Sequence, residues 1–328
     1  MRTLVARLER WETARPFVIA RGAKHHVDVV VAEILDSGGA LLGRGEGTPI
    51  YYRGDTPELA LASLEAAAGA VADGLGRAEL LELMPPCAAR NALDAALWDL
   101  EAKAAGARAW TLAGLPAPQP LLTALTISLG DPADMAAQAR QAAGRELLKL
   151  KLGGEGDLER VAAVRAAAPD ARLIADANES WVGLDVERLC HALHGYRVEL
   201  VEQPLPVGRD AELAHVRSPV PLCADESLQS RAELGEVVGR YRFVNVKLDK
   251  CGGLTEALAL IHAARQRGLG VMVGCMLSTS LGVAPAFVAA MQAAFADLDG
   301  PLLLARDRPH GLRFHGSDVE PPVSGLWG

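Results

Sequence analysis

From about residue 120 onward, short apolar runs alternate with helix-like stretches, and they do so eight times. The runs are LLTALTISLG, ELLKLKLGG, ARLIADAN, RVELVEQP, PVPLCADES, YRFVNVKLDK, LGVMVGCM and FADLD. Seven helical stretches separate them, the first opened by the start signal Asp131-Pro132. Short leucine-rich or β-branched runs suit strands buried on both faces. Strand–helix units in series make a parallel sheet. Eight units in about 180 residues favour a closed barrel over an open sheet. No barrel helix follows the eighth run.

Residues 1–115 read differently. HHVDVVVAEIL (25–35) and GALLGRGEGTP (39–49) resemble antiparallel strands joined by Asp36-Ser37-Gly38-Gly39. Three helical stretches follow, over 56–75, 77–84 and 88–106. The expected organisation is an α+β capping domain over 1–115, a barrel over 116–302, and a tail over 303–328 that packs back on the cap.

Composition narrows the function. Net charge is −8 and aromatics make up 4% of 328 residues, with no basic run. Nucleic-acid binding needs a basic face or stacking rings, so it is not expected. Cys87, Cys190, Cys223, Cys251 and Cys275 are scattered with no C-x-x-C pair, which argues for reduced thiols in a cytoplasmic protein. The charges in MRTLVARLERW are too close together for a secretory signal. No charged residue lies between Arg267 and Asp297. Glycines, Ser278-Thr279-Ser280 and Pro285 interrupt that segment, so it reads as strand, loop and buried helix and not as a membrane span.

In a barrel of parallel strands, function gathers at the C-terminal strand ends. Those ends carry Lys149 and Lys151, then Asp176, Glu202, Asp225, Lys247, and finally Asp297 and Asp299. Asp176, Glu202 and Asp225 are spaced by 26 and 23 residues, about one unit each. Three all-oxygen donors on consecutive strands suit a hard cation such as Mg²⁺ better than three helix caps. Alternation along a strand sends Lys149 and Lys151 to one side, and Lys247 comes from the sixth strand, across the mouth. Neighbouring cations are expected to lower the lysine pKa values toward those of useful bases. A metal that neutralises a carboxylate, with lysines on opposite faces of the adjacent carbon, can invert a stereocentre. Gly153-Gly154-Glu155-Gly156 reads as a loop and not a phosphate cradle, and His191 and His194 as residues of a surface helix.

Together KLKLGG, ADANESW, VEQPLP, CADES and VNVKLDKCGG resemble the enolase superfamily, in the branch of the muconate-lactonising enzymes. The resemblance covers essentially the whole chain and implies a modified TIM barrel, (β/α)7β, under an N-terminal α+β cap. PFVIARG (16–22), VNVKLDKCGGLTEALAL (244–260) and FADLDGP are similar to segments of its dipeptide epimerases. That likeness implies Lys151 and Lys247 as the acid/base pair, Lys149 as a helper cation, and Asp176, Glu202 and Asp225 as ligands of one Mg²⁺ per subunit. It implies Asp297 and Asp299 on the substrate's ammonium, Arg21 on a glutamate side chain, and Thr126 against the substrate. The implied reaction is two-base 1,1-proton transfer through an enediolate, inverting the C-terminal residue of L-Ala-D-Glu or L-Ala-L-Glu in cytoplasmic recycling of cell-wall peptide. A homo-oligomer without nucleic-acid or membrane partners is expected. Tyr52-Arg53 stands in the reverse of the order the family leads one to expect. Other dipeptides, N-acylamino acids, o-succinylbenzoate synthesis or muconate cycloisomerisation are the competing chemistries, and a non-catalytic metal- or peptide-binding barrel is the alternative outside enzymology.

Overall fold

The computed structural model describes residues 1–328. Its first sheet is antiparallel, ordered β1 (Thr3–Ile19), β2 (Gly22–Leu35) and β3 (Leu41–Gly47). The 17-residue β1 is a strand that the sequence reading left unassigned. Its charges had masked a two-residue period at its start, in which Leu4 and Ala6 pack inward while Thr3 and Val5 stay exposed. β1 and β2 form one long hairpin. Ile19 pairs with Gly22, so the turn at its tip is Ala20-Arg21.

The cap helices lie over 57–66, 68–72, 77–83 and 88–105. The single helix expected over 56–75 is broken at Ala67. Helix Ala88–Ala105 sits on β3 at very short range. A Cβ on Gly43, Gly45 or Gly47 would lie 2.1 to 2.2 Å from the carbonyls of Ala96, Ala92 and Ala88. Alternate glycines against a row of alanines are what allow strand and helix backbones to touch.

The second sheet has eight parallel strands: β5 (Leu125–Ile127), β6 (Leu147–Lys151), β7 (Arg172–Asp176), β8 (Val198–Glu202), β9 (Leu222–Ala224), β10 (Phe243–Lys247), β11 (Gly270–Gly274) and β12 (Phe295–Asp297). The run LLTALTISLG is split. Its β4 (Leu121–Leu122) leaves the barrel to pair with the tail strand β14 (Asp318–Val319), which in turn pairs with β13 (Phe314–His315). The seam between β5 and β12 closes through single bonds. Ala124 N–H donates to the Ala296 carbonyl at 2.9 Å, and Leu298 N–H to Thr123 Oγ1 at 2.8 Å.

Two of the seven expected helices are reduced. After β8 there is only a 3-10 helix, Asp210–His215, between Pro206 and the Pro219/Pro221 pair. After β9 there is a short 3-10 turn and a four-residue helix, Leu234–Val237, in a stretch that holds Gly235 and Gly239. Helices Pro132–Gln141, Asp157–Ala167, Val186–Gly195, Leu254–Gln266 and Ser280–Ala290 complete the outer ring. The last is buried almost all round, which accounts for the uncharged run around it, and no helix is long and apolar enough to cross a membrane.

The barrel interior is layered. Ala124, Leu147, Ile174, Leu200, Cys223 and Met272 form one apolar cluster, with Phe243 and Phe295 packed against it. Two residues further along the strands, on the same face, come Thr126, Lys149, Asp176, Glu202, Asp225, Asn245, Gly274 and Asp297. A polar layer therefore rests directly on an apolar plug. The tail runs back over the cap, with Trp327 Nε1 donating to the Ala95 carbonyl at 2.9 Å and Arg44 Nε donating to the Leu326 carbonyl at 2.9 Å.

Candidate active site

The polar layer holds an unusual density of buried charge. Lys149 is 1% exposed and its Nζ stands 2.7 Å from Asp297, 2.7 Å from Glu202 and 3.3 Å from Asp176. Lys151 Nζ reaches Asp176 at 2.6 Å, and Lys247 Nζ reaches Asp225 at 2.7 Å. The strands β6 and β10 that carry these two lysines are four apart in an eight-strand barrel, so they face each other across its mouth. A side chain on Gly274 would meet Asn245 at 2.9 Å and Lys247 Cε at 3.1 Å, so its absence leaves Lys247 its place.

With no cation among these carboxylates, they set the state of Lys149 and Lys247. Burial alone would lower Lys149, but Asp297, Glu202 and Asp176 outweigh it and hold the ammonium well above its ordinary value. The same contest, won by Asp225 and Glu202, holds Lys247 high. Carboxylates, and not neighbouring ammoniums, are the closest charges to each lysine. Burial would raise Asp176, yet Lys151 and Lys149 keep it low, and Lys247 and Lys250 do the same for Asp225. Glu202 is the exception. Burial, then Asp176, push it up to about 7 despite Lys149.

The three carboxylates do not close on one point here, because each is drawn to an ammonium or an amide. They still fit a hard cation. Asp176 and Glu202 are register partners on adjacent strands, and Asp225 sits two residues beyond Glu202's partner Cys223 on the next. Strands about 4.8 Å apart put all three within reach of one ion. Glu202 Oε2 and Asp225 Oδ1 are buried and each stands beside an ammonium, Lys149 at 2.7 Å and Lys250 at 2.6 Å, so the donor set is already one that gathers positive charge.

At the opposite end, Asp299 Oδ2 accepts the Thr126 N–H at 2.6 Å, and burial beside Asp297 pushes Asp299 up to about 7. Asp297 Oδ1 has no partner. Both aspartates and Thr126 line a small cavity of about 60 Å³ with Lys149, Lys151, Asp225 and Lys247. Glu202 and Asp176 lie just beneath its surface.

The hairpin tip covers this cavity. Arg21 lines it, but its guanidinium is already engaged, at 2.9 Å to Glu179 and 2.6 Å to Glu226. Lys24 also lines the cavity and makes no ion pair. Its Nζ lies 4.1 Å from the ring centre of Tyr51, and burial, then Arg21 and Lys247, lower its pKa to about 8. Sequence reasoning missed Lys24, for which the only signal was its place two residues beyond PFVIARG. It also missed Lys250, which is 3% exposed, pairs with Asp225 at 2.6 Å and donates to the carbonyls of Leu228 and Asn245. The glycine loop 153–156 is a loop, as read. Its Gly153 and Gly154 amides both donate to Asp157, at 2.9 Å. His191 and His194 are exposed on helix Val186–Gly195, and all five cysteines are free.

Two family models match the chain. One is "Enolase C-terminal domain-like", over residues 133–322, and the other is the N-terminal domain of "Mandelate racemase / muconate lactonizing enzyme", over 1–114. The chain belongs to this family. It is 44% identical to the L-Ala-D/L-Glu epimerase of Escherichia coli, over 96% of this chain and 98% of that one. It is 42% identical to an N-acetyl-D-glutamate racemase from a Pseudoalteromonas species, over 76% of this chain and 79% of the other. Among solved structures, an enolase family member from Agrobacterium tumefaciens with homology to dipeptide epimerases, with sodium and L-Ala-L-Glu bound, superposes with a TM-score of 0.97 at 51% identity, both chains being covered in full. A dipeptide epimerase from Enterococcus faecalis in complex with Mg and L-Leu-L-Tyr gives 0.89 at 29% identity, over 99% of this chain and 98% of that one. The family's relatives of this chain are thus isomerases, dipeptide epimerases foremost.

Proposed function

We propose that this protein inverts the α-carbon of the C-terminal residue of a dipeptide, with L-Ala-L-Glu and L-Ala-D-Glu as its substrates and Mg²⁺ as its cofactor. The observation that carries the reading is a pair of lysines opposed across the barrel, Lys151 and Lys247, with acidic ends on the pocket between them. Mg²⁺ held by Asp176, Glu202 and Asp225 would take those carboxylates from their lysines and neutralise the substrate's α-carboxylate, which acidifies the neighbouring C–H. Lys151 removes the proton from one face and Lys247 returns one to the other, or the reverse for the opposite enantiomer. Lys149 is enclosed by three carboxylates, Asp297, Glu202 and Asp176, where Lys151 and Lys247 each meet one, so its role is a fixed positive charge near the developing enediolate. Asp297 and Asp299 hold the free ammonium one residue before the reacting carbon. Lys24 is the unpaired cation left for the glutamate side chain, while Arg21 latches the hairpin tip to Glu179 and Glu226. L-Ala-Glu is a product of cell-wall peptide breakdown, and recycling it is the role this substrate implies.

Likeness to an N-acetyl-D-glutamate racemase supports a second reading, in which the substrate is an N-acylglutamate. Such a substrate brings no ammonium to Asp297 and Asp299. Incubation with Mg²⁺ in D₂O decides between them. Deuterium at the glutamate α-carbon of L-Ala-L-Glu, with D-isomer appearing, is the expected result. Exchange into N-acetylglutamate alone would favour the second reading, and exchange into neither would remove both.

A further inference from the structure

Three buried polar atoms lining the pocket lack a hydrogen-bond partner: Asn178 Oδ1, Asp297 Oδ1 and the Tyr52 hydroxyl. The first two are acceptors, which a cation or an ammonium can satisfy. Tyr52 is the only donor among them. A phenol kept out of water with nothing to bond is costly, and such groups point to a ligand. Its proton is firmly held, because burial and the nearby Asp225 push the phenol above its ordinary value.

Its place is also well determined. The Tyr52 ring packs edge-on to Tyr51 at 5.5 Å and lies 4.9 Å beneath the Arg21 guanidinium. That guanidinium is itself tied to Glu179 and Glu226 across the barrel mouth. The hydroxyl is therefore aimed by its neighbours and not by a bond of its own.

Stereochemistry says what it meets, given the dipeptide reading above, on which this step rests. Three of the four groups on the reacting carbon are directed by the barrel. The carboxylate goes to Asp176, Glu202 and Asp225, the amide nitrogen leads toward Asp297 and Asp299, and the hydrogen faces Lys151 or Lys247. The side chain has only the cap left, where the pocket wall is Phe17, Ile19, Arg21, Lys24, Tyr51 and Tyr52. Of these, Arg21 is engaged three times, by Glu179, Glu226 and the Tyr51 hydroxyl at 3.3 Å, and beside Lys24, the cation already assigned to the side-chain carboxylate, Tyr52 is the remaining donor. We infer that Tyr52 donates its hydroxyl hydrogen to the side-chain carboxylate of the residue that inverts, making it a specificity-determining residue for acidic over neutral dipeptides.

The test compares wild type and Tyr52→Phe with Mg²⁺ on L-Ala-L-Glu and L-Ala-L-Met, which are of similar length but differ in charge. A hydrogen bond to a charged acceptor predicts that the Glu-to-Met ratio of kcat/KM falls about 10- to 100-fold in the variant, mostly through KM. Because the hydroxyl bonds to nothing in the protein, the variant's Tm should equal or exceed that of wild type. A ratio that survives the substitution overturns the inference, even if both activities fall together, and so does a lowered Tm, which would reveal a structural partner. A wild type inert on both dipeptides overturns the dipeptide reading and this inference with it, whereas an active wild type with an unchanged ratio in the variant overturns the inference alone.

Discussion

At the scale of single residues, the site divides its lysines by surroundings. Lys149 is enclosed by three carboxylates and stays charged, whereas Lys151 and Lys247 each meet one. Replacing Lys247 by Met should lower epimerisation at least 10²- to 10⁴-fold, the usual range for a lost general base. In D₂O that variant should still exchange the α-proton of the one enantiomer that Lys151 faces, which proton NMR would show. Exchange of neither enantiomer would point to a damaged site and not to a missing base. Lys24 offers a second test. The free cation at the cap, with a pKa lowered to about 8, loses its charge as pH rises through that value. KM for L-Ala-L-Glu should therefore be lowest below about pH 8 and rise above it, and Lys24→Arg should flatten the rise because guanidinium stays charged. Arg21→Met should instead weaken acidic and neutral dipeptides alike, since it frees the hairpin tip. A selective loss for Glu in Arg21→Met would restore to Arg21 the side-chain role that its place in PFVIARG implied.

At the scale of elements, the strand ends were legible because a period of two and a unit spacing of about 25 residues are local properties of the chain. Asp176, Glu202, Asp225 and Lys247 could be placed on strand ends that way. The helices after β8 and β9 were not legible, because proline and glycine content trims a helix without erasing its apolar pattern. β1 was hidden by its charges, and with it went the fact that Arg21 is a hairpin tip and not part of an open loop. The contact of β3 with helix Ala88–Ala105 makes its own prediction. Gly45→Ala would drive a methyl to 2.2 Å from the Ala92 carbonyl, and backbone cannot yield as a flexible side chain can. Overpacking of this kind costs about 1–3 kcal/mol or more, so a clear fall in Tm is expected. An unchanged Tm would mean that the strand and helix are freer to separate than their spacing implies.

At the scale of the whole molecule, buried polar groups join cap, barrel and tail. Glu46 on β3 accepts from the Thr279 amide at 2.8 Å on the barrel side and pairs with Arg308 of the tail at 2.6 Å, and Arg308 also reaches Glu9 at 2.7 Å. Arg308→Ala would strand Glu46 as an uncompensated buried charge, a change that costs about 3–5 kcal/mol, and denaturant unfolding would measure it. Asp249, after β10, accepts from Thr48 N at 2.8 Å and Asn91 Nδ2 at 2.7 Å in the cap, and burial pushes it up to about 7. A carboxyl raised on folding binds its proton more tightly in the native state. Its contribution is fully present below about pH 4 and is lost as pH rises to about 7, at up to about 1.4 kcal/mol per pH unit. Asp249→Asn keeps an acceptor without the charge, so it should remove part of that slope from a plot of Tm against pH. A slope identical to wild type would show that Asp249 does not titrate in this window.

By itself the sequence determined the barrel, its cap, the buried lysines and carboxylates and the family, because each is written in local period, spacing and motif. Only the tertiary structure decided which charges neutralise one another: that Asp297 answers to Lys149, that Arg21 is already engaged while Lys24 is free, and that Tyr52 has a hydrogen to give. The ion pairs among them join residues 148 to 205 positions apart, and partner choice over such distances is set by packing of the hairpin and strands, which no local pattern records.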